Sequence, residues 1–177
     1  MNNKGNASNS KDIKRLNRIL VRNIIRKLGP IARYELAKET GLTPPTVTVI
    51  VNELISDGVV LEVGHGESSG GRRPVMLEIN PQAAYIFALR LQRDEVVTAL
   101  FNLKGDILSH HKRVIDTAAP ERVVEAVGNS FDWLIEDTGI DREKVLCCGV
   151  ASPGLINTQR GVIGHSSNLK WDRVPLG

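Results

Sequence analysis

The chain has 177 residues, with 23 Lys+Arg against 20 Asp+Glu (net +3) and 41% hydrophobic residues. An ordinary apolar fraction, two cysteines and unexceptional glycine and proline exclude collagen-like, disulfide-stapled and wholly disordered chains, and the length suits one or two domains. No apolar run approaches the roughly 20 residues needed to cross a bilayer, and the start MNNKGNASNSKD is polar where a secretory signal is apolar, so a cytoplasmic protein with no membrane partner is expected.

The charge is uneven. Residues 1–80 hold 12 Lys+Arg against 8 Asp+Glu, residues 81–177 hold 11 against 12, and within residues 1–33 nine basic side chains face Asp12 alone. A basic cluster is either a solvated helix face or the electrostatic footprint of a nucleic-acid reader, and the motif around it decides which. Residues 1–10, rich in Asn, Ser and Gly, are expected to be a disordered tail ending in a helix cap at Ser10. From Asp12 to Leu28 the residues Ile13, Leu16, Leu20, Ile24 and Leu28 recur at helical spacing, broadened by Ile19, Val21 and Ile25, and predict one amphipathic helix stopped by Gly29-Pro30.

A short helix over 33–40 follows, burying Leu36 and Ala37 and ending at Gly41. Thr43 caps a third helix, with Pro44 in the first turn, where a missing N–H costs nothing. Val47, Ile50, Val51, Leu54 and Ile55 form its inner face and leave Thr46, Thr48, Val49, Asn52 and Glu53 outside. Helix, glycine turn, helix is a helix-turn-helix whose second helix enters the DNA major groove. The strands Val59–Val63 and Val75–Ile79, around the loop 64–74, read as its wing.

The DNA-contacting candidates are Arg18, Arg22, Thr43, Pro45, Thr46, Thr48, Asn52, Arg72 and Arg73, with Lys14 and Arg15 also near phosphates. Hydroxyls suit phosphate oxygens, methyl groups suit thymine, and an Asn amide pairs with adenine. Arginines between glycine and proline, as in Gly70-Gly71-Arg72-Arg73-Pro74, suit a narrow minor groove. An A·T-rich palindromic double-stranded operator and salt-sensitive binding are therefore expected.

From Ala84 the period changes. Tyr85–Leu91, Val96–Leu103 and Ile107–Val114 read as strands, residues from Pro120 to about Gly139 as a helix, and Val145–Ala151 as a further strand ending at Ser152-Pro153-Gly154. This α/β order matches the opening of an actin-like, ribonuclease-H-like fold. Cys147 and Cys148 lack metal-ligand spacing and are expected to be small buried strand residues; neither metal nor cofactor is expected. His110, His111 and His165 are assigned to the surface or to strand ends.

Several pieces together resemble the ROK family of sugar-responsive repressors and sugar kinases. They are Asn17-Arg18, Gly29-Pro30-Ile31-Ala32-Arg33, Thr43-Pro44-Pro45-Thr46-Val47, the run from Ser68 to Pro74, Gly149-Val150-Ala151-Ser152-Pro153-Gly154 and Asn168-Leu169-Lys170-Trp171. Their order and spacing are most similar to the repressor branch with an N-terminal winged helix, and within it to xylose-operon repressors. The chain is thus read as a tail over 1–10 and a winged helix-turn-helix over 11–80, and the resemblance implies that 81–177 is the first part of a ROK sugar-sensing domain. It also implies a sugar effector, a homodimer or higher oligomer of the intact protein, and Gly154 and Asn168 as lining of a sugar cleft.

The family's kinases carry Asp-x-Gly-Gly-Thr to cradle ATP phosphates on glycine amides. The matching stretch here is Arg90-Leu91-Gln92-Arg93-Asp94, which shares none of the signature residues, so no catalytic residue is assigned. The family's sugar-holding Asn-Asp pair, its Cys/His metal cluster and its C-terminal lobe lie beyond the motif at Asn168, whereas this chain ends at Gly177, so a truncated repressor is expected. A ROK sugar kinase and a winged-helix protein-binding regulator are the alternatives.

Overall fold

The computed structural model describes residues 4–67 and 73–176, with side chains from Ser10 onward. Two compact units divide between Ala83 and Ala84. In the first, helix α1 (Lys4–Leu28) is followed by a two-residue strand β1 (Ile31–Ala32), helices α2 (Arg33–Thr40) and α3 (Pro44–Ser56), and strands β2 (Val60–His65) and β3 (Val75–Ile79). The strands form an antiparallel sheet in the order β1-β3-β2, with Ile31 opposite Leu77 and Val60 opposite Ile79. Val21, Ile25, Leu36, Val47, Ile50, Val51, Leu54, Val60 and Leu77 are all buried and make up the core of this unit.

Two expectations for α1 change. The helix begins at Lys4, so Ser10 lies inside it rather than capping it, and the described part of the expected tail is helical. Its buried stripe is Val21 and Ile25; Leu16 is 63% exposed, Ile13 51%, and Leu20 and Leu28 are also exposed. A helix with apolar residues on more than one side has no single inner face until its partners choose one, and α2, α3 and β3 pack on the Val21 side. Strand β1 carries no readable period in its two residues and exists because β3 supplies the hydrogen-bonding partner.

In the second unit, β4 (Tyr85–Gln92), β5 (Glu95–Asn102) and β6 (Ile107–Val114) form an antiparallel meander. Helix α4 (Pro120–Thr138) then crosses over β5 and β6, and β7 (Val145–Ala151) returns parallel to β4 in the order β6-β5-β4-β7. On the α4 side lie Tyr85, Phe87, Leu100 and Leu134, with Phe131 edge-on to Phe87 at 5.0 Å. A second antiparallel sheet, in the order β10-β9-β8, comprises β8 (Leu155–Asn157), β9 (Val162–Ser166) and β10 (Trp171–Pro175). Its Ile163 and Trp171 pack with Leu89, Leu91 and Val96, and the Trp171 indole N–H donates to the Thr117 carbonyl at 2.8 Å.

Cys147 and Cys148 do lie on one strand, but both are exposed. Strand β7 is the sheet edge and α4 covers its other end, so these side chains, with Leu146 and Val150, meet solvent. His111, expected at the surface or a strand end, is half-buried in mid-β6 with its ring 4.7 Å from that of Trp133.

Candidate nucleic-acid interface

The turn between α2 and α3 is set by local chemistry. Glu35 reaches back to accept from the Ala32 N–H at 2.8 Å, closing the start of α2. Gly41 ends it at φ +69°, with its N–H donating to the Ala37 carbonyl at 3.0 Å; a side chain there would be strained. Thr43 then caps α3, its hydroxyl accepting from the Thr46 N–H at 3.5 Å and lying 2.9 Å from the Thr46 hydroxyl.

With Val47, Ile50, Val51 and Leu54 buried, α3 presents Pro45, Thr48, Val49 and Asn52 outward on one exposed, uncharged stripe. The Thr48 hydroxyl donates to the Pro44 carbonyl at 2.9 Å, which leaves its methyl group and oxygen lone pairs facing out. The Asn52 amide oxygen faces the Arg33 guanidinium at 3.4 Å, and the same guanidinium nitrogen donates to Glu62 of β2 at 3.0 Å.

Sequence reasoning missed how the cations of α1 are used. Lys14 binds Glu53 at 2.6 Å, and Arg18 lies 3.5 Å from Glu53 and also binds Asp57. These pairs join residues 35 or 39 positions apart, α1 to the C-terminal end of α3, and no local pattern announces them. The hydrogen bond from Lys14, ahead of the charges of Lys14 and Arg18, holds the Glu53 carboxyl below the usual carboxylate range. Arg15 and Arg22 are exposed and form no ion pair among the described residues. Arg73 is exposed at the base of the wing, where the Gly66 N–H donates to the Pro74 carbonyl at 2.9 Å. Arg72, together with Ser68 to Gly71, lies outside the described residues.

In the second unit, Arg90, Gln92 and Arg93 line an open cleft of about 550 Å³ together with Ser152 and Asn168. The segment compared with the phosphate loop is the end of β4 and a tight hairpin through Arg93 and Asp94, with Gln92 paired to Glu95. Gly154 is not among the residues that line this cleft. Its φ is +117°, and a Cβ there would stand 2.4 Å from the His165 carbonyl oxygen, so the glycine lets β9 approach. Among the described residues no group of His, Cys, Asp and Glu is arranged to hold a metal, and no helix is long and apolar enough to cross a membrane.

The first unit is thus a winged helix-turn-helix and the second an α/β unit. Residues 18–60 match the winged helix-turn-helix DNA-binding family, and residues 86–177 match the ROK family. The chain belongs to the ROK family. It is 31% identical over 165 residues to a putative xylose repressor of Caldicellulosiruptor sp. (strain Rt8B.4), a match covering 93% of this chain and 41% of that protein. It is likewise 31% identical to the xylose repressor of Bacillus subtilis (strain 168), covering 42% of it, and 26% identical to the DNA-binding transcriptional dual regulator NagC of Escherichia coli (strain K12), covering 40%. The crystal structure of a ROK family transcriptional regulator, a homolog of the E. coli MLC protein, superposes with TM-score 0.70 at 28% identity over 91% of this chain and 41% of that one. The chain thus spans about two fifths of the length of the relatives it matches.

Proposed function

We propose that the chain is a sequence-specific, DNA-binding repressor of a sugar-utilisation operon, acting in the cytoplasm, with the winged helix as reader and the ROK unit contributing to a sugar sensor. The observation that carries this reading is the exposed, uncharged stripe Pro45, Thr48, Val49 and Asn52 on a helix whose opposite face is buried. Methyl and pyrrolidine groups beside one amide suit thymine-rich major-groove edges. Arg15 and Arg22 would meet phosphates, while Lys14 and Arg18 hold the end of α3 against α1 and so set the angle of the reading helix. Arg72 and Arg73 would enter the minor groove beside an A·T-rich half-site.

Two heads on a palindrome require a homodimer or higher oligomer. Xylose is the proposed effector because the relatives named above include xylose repressors, and Asn168 at the cleft is a candidate contact. Sugar would release DNA by binding more tightly to the arrangement in which the heads no longer fit both half-sites. The role is non-enzymatic: Arg90, Gln92 and Arg93 place long side chains where ATP phosphates would need glycine amides.

Fluorescence anisotropy of the 177-residue chain on A·T-rich palindromic and scrambled duplexes, at two salt concentrations, tests the proposal. The expected result is preferential, salt-sensitive binding of the palindrome that Arg72→Ala/Arg73→Ala weakens. Equal binding of every duplex at low salt would refute sequence-specific reading.

A further inference from the structure

The Arg33–Asn52–Glu62 contact bears on which bases α3 selects. Arg33 stands at the first position of α2, Asn52 on the outward stripe of α3 and Glu62 on the wing strand β2, so three elements meet at one guanidinium. A guanidinium carries donors only, so the Asn52 amide atom facing it must be the oxygen. That orientation directs the Asn52 –NH2 away from Arg33. The Arg33 side chain is 29% exposed and is itself held by Glu62 at 3.0 Å, so the amide turns against an anchored charge rather than a mobile one.

We propose that Arg33 is a positioning residue for specificity: by binding the Asn52 carbonyl oxygen it makes Asn52 present donors alone to the major groove. This rests on Asn52 reading a base edge. A donor-only amide suits acceptors: it can meet guanine O6 and N7 together, thymine O4 singly, and adenine N7 only beside the opposing N6 amino group. The bidentate adenine contact expected from an unrestrained Asn needs the amide oxygen for the adenine N6 amino group, and here that oxygen faces Arg33. Cytosine N4, a donor, is disfavoured opposite the Asn52 –NH2. Guanine or thymine on the contacted strand is therefore preferred under Asn52 over adenine, whose single acceptor stands beside a donor, and Arg33 decides this without touching DNA.

The test is selection of duplexes from a library with a randomised core by the 177-residue chain and by Asn52→Ala, Arg33→Met, Arg33→Lys, Glu62→Gln and the double variant Arg33→Met/Asn52→Ala. Circular dichroism melting confirms that each is folded, and Glu62→Gln, which loosens Arg33 without removing it, serves where Arg33→Met proves too unstable. The wild-type chain is expected to select thymine or guanine at one position of each half-site, by about five- to tenfold over cytosine, a contact-sized discrimination. Asn52→Ala levels that position. Arg33→Met raises adenine there and leaves the other positions unchanged, Glu62→Gln does so partially, Arg33→Lys, whose ammonium also carries donors alone, keeps the wild-type preference, and the double variant selects as Asn52→Ala does. Selection of adenine by the wild type, or an Arg33→Met variant that weakens all sequences equally without changing the Asn52 position, would overturn the positioning role while leaving Asn52 as a reader. An Asn52→Ala profile identical to wild type would overturn the base-reading assignment and the proposal with it.

Discussion

Substituting Gly154 by alanine separates a packing role from a ligand-lining one. The residue sits at φ +117°, a conformation that costs an L side chain about 1–2 kcal/mol. The new methyl would also stand 2.4 Å from the His165 carbonyl oxygen and 2.8 Å from the Ser166 Cβ. That strand cannot simply retreat, because Leu155 pairs with His165 in the β8–β9 ladder and Ile163 and Ser166 are buried behind it. Overpacking of this kind costs about 1–3 kcal/mol, so the total is about 2–5 kcal/mol. With a urea dependence of roughly 1–2 kcal/mol per molar, the unfolding midpoint should fall by about 2 M. Tryptophan fluorescence is the suitable probe, since Trp133 and Trp171 are the chain's two tryptophans and both belong to the second unit. Gly128→Ala serves as the opposite-sign control: Gly128 is exposed on α4, nothing lies within 4 Å of its added Cβ, and removing a helix-interior glycine should stabilise by about 0.5–1 kcal/mol. A midpoint for Gly154→Ala equal to or above wild type would refute the close-approach argument.

In the first unit, Thr43→Ala removes the cap of α3 and should cost about 1 kcal/mol, lowering the melting temperature followed at 222 nm by about 4–8 °C, with Thr43→Ser restoring most of it. Glu53 has a carboxyl held below its ordinary value by Lys14, so its contribution to stability is complete above the unfolded carboxylate pKa and is lost as pH falls through the lower folded value. Urea titrations from neutral to acidic pH should therefore show a shallower loss for Glu53→Gln than for wild type, and identical slopes would deny the pairing. Arg22→Ala should reduce the slope of log affinity against log salt by about one on every duplex tested, as expected for a phosphate contact. Trp171→Phe leaves the Thr117 carbonyl without its donor and should cost about 1–3 kcal/mol by fluorescence-independent denaturation.

Much of the fold is legible in the order of residues because its signals are local. Leu36 followed by Gly41, Thr43-Pro44 and the inner face Val47, Ile50, Val51 and Leu54 specify two helices and their turn through capping, a left-handed glycine and a 3.6-residue period. The alternation of buried Tyr85, Phe87, Leu89 and Leu91 likewise announces a strand with one covered face. Strands β8, β9 and β10 escaped that reading because they are short and interrupted, and Trp171 acquires its partner, the Thr117 carbonyl, from 54 positions away.

What the chain alone determined, then, is the order of the helices and of strands β2 to β7, the buried face of α3 and the absence of a glycine phosphate loop between β4 and β5; that Thr46 and Glu53 leave the outer face of α3 uncharged by turning half inward was decided by packing. Packing decided the rest: which of several apolar sides of α1 is buried, that Cys147 and Cys148 face solvent, and that Gly154 makes room for β9. Packing also decided that Lys14 and Arg18 serve Glu53 and Asp57, and that Arg33 reaches Asn52. Ion pairs and close approaches depend on where distant segments come together, and residue spacing carries no record of that distance.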